Sequence, residues 1–190
     1  MSSQVWWNAA RAGGILAWAL ASLSVVWGLQ LSTRLVRKPP PAWVLDLHRF
    51  LGGLAVLFTG VHLGGLFLDT QTHFGPAQLL VPFTSSFRPG AVALGIVAMY
   101  LLVAVELTSL VVKRMPRRIW HAVHLSAFGV FLLGTVHGLL AGTDATNSLF
   151  QWAVVAVSAV VLFLTLVRVL APRRGAPAAR EKATRTARTA

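Results

Sequence analysis

The chain has 190 residues, of which 56% are hydrophobic and 12% charged, and its mean hydropathy is +0.70. This balance excludes an ordinary soluble domain. The net charge of +12 would suit a nucleic-acid binder, but the cations cluster in short connections between apolar runs, which argues against that class. There is no cysteine, so a disulfide framework, a Cys-ligated iron–sulfur cluster and C-x-x-C-H haem attachment are excluded. Metal chemistry is left to His, carboxylate or Met.

The first apolar run, 12–33, carries no Asp, Glu, Lys or Arg. It lacks the basic start of a cleaved signal, and "RLVRKPPP" follows it as a stop-transfer flank would. The second charge-free run is 50–68, and its helix is expected to begin near Trp43, after the triple proline. It holds "LHRFLGGLAVLFTGVHLGGLFLD", with His48 and His62 near its two ends. Residues 69–88 form the one long connection, with room for a short interfacial helix that can cap what lies below. His73 within it reads as a solvated histidine. The third run, 89–112, contains one acid, Glu106. Its two readings are a partly hydrated pairing with Arg49 or another cation, or a proton relay or quinone contact. The fourth, 119–143, carries His121, His124 and His137, and the fifth is 145–167. Each run is long enough to cross about 30 Å of hydrocarbon as a helix.

The fold expected is therefore all-α, an integral membrane bundle of about five transmembrane helices. Residues 1–171 form one membrane domain, and 172–190 a basic, disordered cytoplasmic tail with affinity for anionic lipid. Arg34, Arg37 and Lys38 follow the first run, and Lys113, Arg114, Arg117 and Arg118 follow the third. Arg168, Arg173, Arg174, Arg180, Lys182, Arg185 and Arg188 close the chain. This alternation puts the N-terminus outside and the C-terminus in the cytoplasm of a multi-pass cell-membrane protein. Trp6, Trp7, Trp43, Trp120 and Trp152 read as aromatic-belt anchors.

The second and fourth runs point the same way across the membrane, so depths along them compare directly. His62 and His137 each precede an aspartate, Asp69 and Asp144, by seven residues. His48 and His124 are similarly shallow at the other end. The separations, fourteen and thirteen residues, correspond to about 20 Å of rise. Two parallel helices thus offer one histidine pair near each face. Facing imidazoles form a natural axial clamp for haem iron, and ligation offsets the cost of a polar ring in lipid. His48 and His62 fall about 40° apart around an ideal helix, but His124 and His137 about 140° apart. Tilt, rotamer choice or a π-bulge near Gly129 or Gly134 would repair the misfit. His121 is the rival to His124, with neither better angle nor better depth; a supporting or interface role suits it. Gly52, Gly53, Gly64, Gly65, Gly129, Gly134 and Gly138 would let a flat macrocycle approach the backbone, or serve plain helix packing, as in the Gly60-x-x-x-Gly64 spacing. Arg49 and Arg88 are candidate contacts for haem propionates, or snorkel to headgroups.

These spacings, with "HRFLGGLAVLFTGVH" and "WHAVHLSAF", resemble the ferric reductase-like transmembrane domain over roughly residues 43–170. That family includes NADPH oxidases, ferric-chelate reductases and the haem-binding subunit of a methionine sulfoxide reductase. The W-x-x-x-H-x-x-x-[YF] pattern favours His124 over His121. The resemblance implies two b haems, the inner held by His48 and His124 and the outer by His62 and His137. It implies electron transfer from a cytoplasmic or quinol donor to an external acceptor. The chain departs from the family's oxidases in lacking the fused flavin–nicotinamide domain and a helix before the first run. It is therefore expected to be the electron-transfer membrane subunit of an oxidoreductase, fed by a cytoplasmic flavoprotein reductase or by membrane quinol, with no nucleic-acid partner. The alternatives are a histidine-lined metal-ion or proton transporter without haem, and a haem-free assembly subunit.

Overall fold

A computed structural model describes residues 3–33, 42–72 and 74–170. Arg34, Arg37, Lys38, His73 and the tail 172–190 lie outside the described residues. The chain runs through α1 (Ser3–Thr33), α2 (Ala42–Leu68), α3 (Pro76–Leu80), α4 (Pro89–Leu110), a 3₁₀ turn (Val112–Arg114), α5 (Arg117–Leu125), α6 (Ala127–Ala141) and α7 (Ser148–Leu170), with no strand among the described residues. Among the described residues, five segments are long and apolar enough to cross a membrane: α1, α2, α4, α5 with α6, and α7. Helices suit this setting because they satisfy their own backbone groups. Their starts follow local chemistry. Pro89 opens α4, where its missing N–H costs nothing. Asn147 caps α7, its Oδ1 accepting from the Leu149 N–H at 2.9 Å and the Phe150 N–H at 3.3 Å.

The helices pack as a ring of four. α1 lies along α2 and α4 lies along α6, while α1 also meets α6 and α2 meets α4 more lightly. This leaves α2 and α6 on a diagonal, facing each other across the centre. α7 packs outside, chiefly on α1. Midway through the bundle Ala55, Leu102 and Val130 form a buried layer, with Leu20, Ala21, Val56 and Leu101 against it. Ala55, from α2, is fully buried. A second cluster, Leu29 with Val161 and Leu164, fixes α7 with help from Phe128 and Phe131. At the far end, away from the basic connections, Arg11 of α1 clamps Asp144 in the α6–α7 connection with bonds of 2.6 and 3.2 Å.

Two packing expectations are corrected. Gly60 and Gly64 have open space where a Cβ would stand, so this spacing packs no helix among the described residues. The tight crossing belongs to α1 and α2. A Cβ at Gly65 would lie 2.6 Å from the Ala10 nitrogen, and one at Gly13 would lie 2.8 Å from the His62 nitrogen. The fourth span is also not one helix with a π-bulge near Gly129 or Gly134. It breaks earlier, at Ser126, between α5 and α6. The Ser126 N–H bonds the Val123 carbonyl at 3.0 Å, an i→i−3 step, and its hydroxyl donates to the same oxygen at 2.6 Å. Such a step winds about 20° more per residue than an α-helix. That is the sense of rotation that narrows the misfit between His124 and His137.

Candidate functional site

Two histidine pairs meet in the gap between the diagonal helices. The His48 ring from α2 and the His124 ring from α5 have centroids 6.0 Å apart and planes crossed at 76°. The His62 ring from α2 and the His137 ring from α6 have centroids 6.4 Å apart and planes crossed at 77°. The first pair lies toward the basic connections, the second toward the far end, and the apolar layer of Ala55, Leu102 and Val130 lies between them.

Neighbouring helices orient the rings. His62 Nδ1 lies 2.7 Å from the Ala10 carbonyl, His48 Nδ1 3.0 Å from the Ser24 carbonyl, and His137 Nδ1 2.8 Å from the Ala91 carbonyl. A carbonyl only accepts, so each Nδ1 carries the proton and Nε2 keeps its lone pair. Ser24 adds its hydroxyl, 3.1 Å from His48 Nδ1. These contacts need bare backbone beside each ring. A Cβ at Gly14 would lie 2.9 Å from the His62 ring, one at Gly28 3.2 Å from His48, and one at Gly95 2.7 Å from His137. None of these three glycines, nor the carbonyls of Ala10, Ser24 and Ala91, was singled out in the sequence. The signal was present: Ala10 and Ser24 are fourteen residues apart, as are Gly14 and Gly28, matching His48 and His62.

His124 is held differently. Its Nδ1 is buried and finds no hydrogen-bond partner among the described residues. Its ring instead stacks on Trp120, with centroids 4.8 Å apart and planes within 21°. Trp120, expected as an interface anchor, therefore packs into this site. The indole N–H of Trp120, like that of Trp27 on α1, is buried without a partner among the described residues. Trp27 precedes Gly28, which abuts His48.

The other candidate residues are placed as follows. His121 is exposed, its Nδ1 bonded to the Arg117 carbonyl of its own helix at 2.9 Å. Arg49 is exposed and lies 3.9 Å from Asp46; the expected Glu106–Arg49 pairing is not formed. Glu106 of α4 sits against the backbone of Gly52, where any side chain would collide with its carboxyl group. Arg88 donates to the Leu140 carbonyl and lies over the Phe87 ring, at the end of the bundle that holds His137. Of the seven glycines expected near a macrocycle, Gly53, Gly64 and Gly134 face open space, whereas Gly52 and Gly65 are filled by Glu106 and Ala10.

The geometry can be tested against haem. Two imidazoles bonded to one iron at about 2 Å each put their ring centroids about 6 Å apart. Both pairs meet this spacing. No group of three or more His, Cys, Asp or Glu that could hold a metal ion occurs among the described residues, and each pair stands as a set of two imidazoles. The residues present therefore fit the group.

The architecture is that of a polytopic helical membrane protein with two paired-histidine sites stacked across the bilayer. A model of the family described as ferric reductase like transmembrane component matches residues 13–135. The match covers more than half of the chain, and the chain belongs to this family. It takes in α1, which the sequence resemblance left out, and it holds His48, His62 and His124, ending two residues before His137. Comparisons with curated proteins and with solved structures return no match.

Two expectations follow locally. Gly95→Leu would press a side chain into the His137 ring, an overpacking cost of about 1–3 kcal/mol. In a haem-loaded chain, content would fall at the far-end pair alone, measured as haem per chain. Trp120→Ala would release the His124 ring, weakening haem retention at the basic end by roughly tenfold, whereas Trp120→Phe retains most of the stack. Competition with a haem-scavenging apoprotein measures both.

Proposed function

We propose that this chain is a transmembrane electron carrier in which His48 with His124, and His62 with His137, hold two b haems. The observation that carries the reading is the pair of facing imidazoles at two depths, with ring spacings of 6.0 and 6.4 Å. Haem b at these sites would supply one-electron iron chemistry. The chain's part is positional. The carbonyls of Ala10, Ser24 and Ala91 fix three tautomers and leave each Nε2 lone pair free to bind a metal. The Trp120 stack orients the fourth ring. The central apolar layer keeps water and ions from running between the two sites. Trp120 offers an N–H donor beside the His48–His124 pair, and Arg88 a guanidinium at the end of the bundle that holds His137.

By the positive-inside rule we assign the His48–His124 pair to the cytoplasmic side, with electrons passing from a cytoplasmic flavoprotein or membrane quinol toward an external acceptor. Lys113, Arg114, Arg117 and Arg118 form a cationic rim there that suits an acidic donor, with salt-sensitive association. A haem-free transporter has less support, because the middle of the bundle is a packed layer of Ala55, Leu102 and Val130.

The test uses the haem-loaded protein in vesicles with ferricyanide trapped inside and a membrane-impermeant reductant outside. Reduction of the trapped ferricyanide well above that in protein-free vesicles supports the reading. The same background rate in both overturns it.

A further inference from the structure

We propose that residues 75–87, between α2 and α4, form a re-entrant element inserted into the leaflet at the far end, with Leu80, Val81 and Phe83 in contact with lipid acyl chains.

Depth carries the argument. α4 has 22 residues, about 33 Å of helix, which matches the hydrocarbon thickness and sets its middle near the bilayer midplane. Tyr100 stands midway along it. The Tyr100 hydroxyl donates to the Leu80 carbonyl at 2.7 Å. A tyrosine hydroxyl reaches about 6–7 Å from its Cα, so Leu80 lies within roughly 10 Å of the midplane, inside a half-thickness of about 15 Å. Both ends of the segment return to the far face: Asp69 follows α2, and Arg88 bonds the Leu140 carbonyl just past His137. The chain thus goes in and comes out on one side.

The residues suit hydrocarbon. From 70 to 87 there is no Asp, Glu, Lys or Arg. Leu80, Val81 and Phe83 are 45%, 49% and 73% exposed on the isolated chain, whereas Leu79 turns inward and is buried. Phe83 has a φ of 69°, a conformation a bulky residue avoids; it directs an aromatic ring away from the protein. Irregular backbone at this depth needs its polar groups satisfied internally, and here local bonds do much of this. Val81 N–H bonds the Ala77 carbonyl at 2.8 Å. The Thr84 hydroxyl bridges the Ala77 and Val81 carbonyls at 2.9 and 2.8 Å. Ser85 Oγ accepts from the Phe87 N–H and donates to the Phe87 carbonyl. Pro76 and Pro82 remove donors altogether. The element touches α2 and is tied to α4 through Tyr100, so it links these two lightly packed helices.

The chain has no cysteine, so a single spin label is placed cleanly. Val81→Cys, Phe83→Cys and, as a water-facing reference, Thr143→Cys are labelled in the full chain and reconstituted in phosphatidylcholine vesicles. Collision rates with oxygen, which concentrates in hydrocarbon, and with a water-soluble nickel chelate are measured by electron paramagnetic resonance. Val81 has an ordinary extended backbone, so it reports even if Phe83→Cys folds poorly. The ratio of oxygen to nickel collisions at 81 and 83 is expected to exceed that at 143 by roughly tenfold or more. A ratio like that at 143 would put the segment in water and overturn the proposal. Low collision with both reagents would mean that protein, a second copy or another subunit, covers it, and would overturn the lipid contact equally.

Discussion

His62→Ala is expected to lower haem content from two per chain to one and to leave the other haem in place. His137→Ala is expected to do the same, and the two single variants should have matching spectra, because each removes one half of one clamp. His48→Ala and His124→Ala should remove the complementary haem. The size of the effect follows from the coordination. Loss of a supporting hydrogen bond already weakens a metal site by 10–100-fold, so loss of a ligand should weaken it by at least about 100-fold. The pairing rests on ring contacts of 6.0 and 6.4 Å and on the packed layer that separates the two sites. His121→Ala is the control. Its ring is exposed and bonded within its own helix, and both haems should survive. Haem per chain and a redox titration distinguish the outcomes; loss of a haem in His121→Ala with both retained in His124→Ala would reverse the assignment.

The purified, haem-loaded chain is expected to show no rapid reduction by NADH or NADPH. A nicotinamide delivers two electrons as hydride and a b haem accepts one, so a flavin normally stands between them. Outside the membrane helices, the described connections are too short to hold a nucleotide-binding fold. Anaerobic mixing with NADPH should leave the haem spectrum oxidised for minutes. Addition of a flavin reductase, or of a quinol, should then reduce it, and the donor that works defines the class of the missing partner. Fast reduction by NADPH alone, in a preparation shown to be free of flavin, would contradict this.

The bundle was largely legible because hydrophobic runs of 19 residues or more have few ways to fold in a membrane. The four histidines were legible as pairs because depth can be counted from Asp69, Asp144 and the basic connections. Angles were not. The 140° misfit assumed an ideal helix through Ser126, and a serine whose hydroxyl bonds back to Val123 breaks that assumption. The ring acceptors were missed because a backbone carbonyl has no signature of its own. Only the fourteen-residue recurrence of Ala10 with Ser24 and of Gly14 with Gly28 marks them. Trp120 near the end of a span reads as an interface anchor until α5 turns it onto His124. The depth of the 75–87 segment was invisible for a similar reason, since one bond between Tyr100 and Leu80 sets it.

The central claim is tested most directly by the low-temperature electron paramagnetic resonance spectrum of the oxidised, haem-loaded protein, with haem per chain measured on the same sample. Imidazole planes crossed at 76° and 77° would leave two d orbitals nearly degenerate on an iron held between them. The account therefore expects two haems per chain, both six-coordinate and low-spin, with strongly anisotropic signals. A folded chain that takes up no haem when haem is supplied, or that shows only high-spin five-coordinate iron, would contradict it.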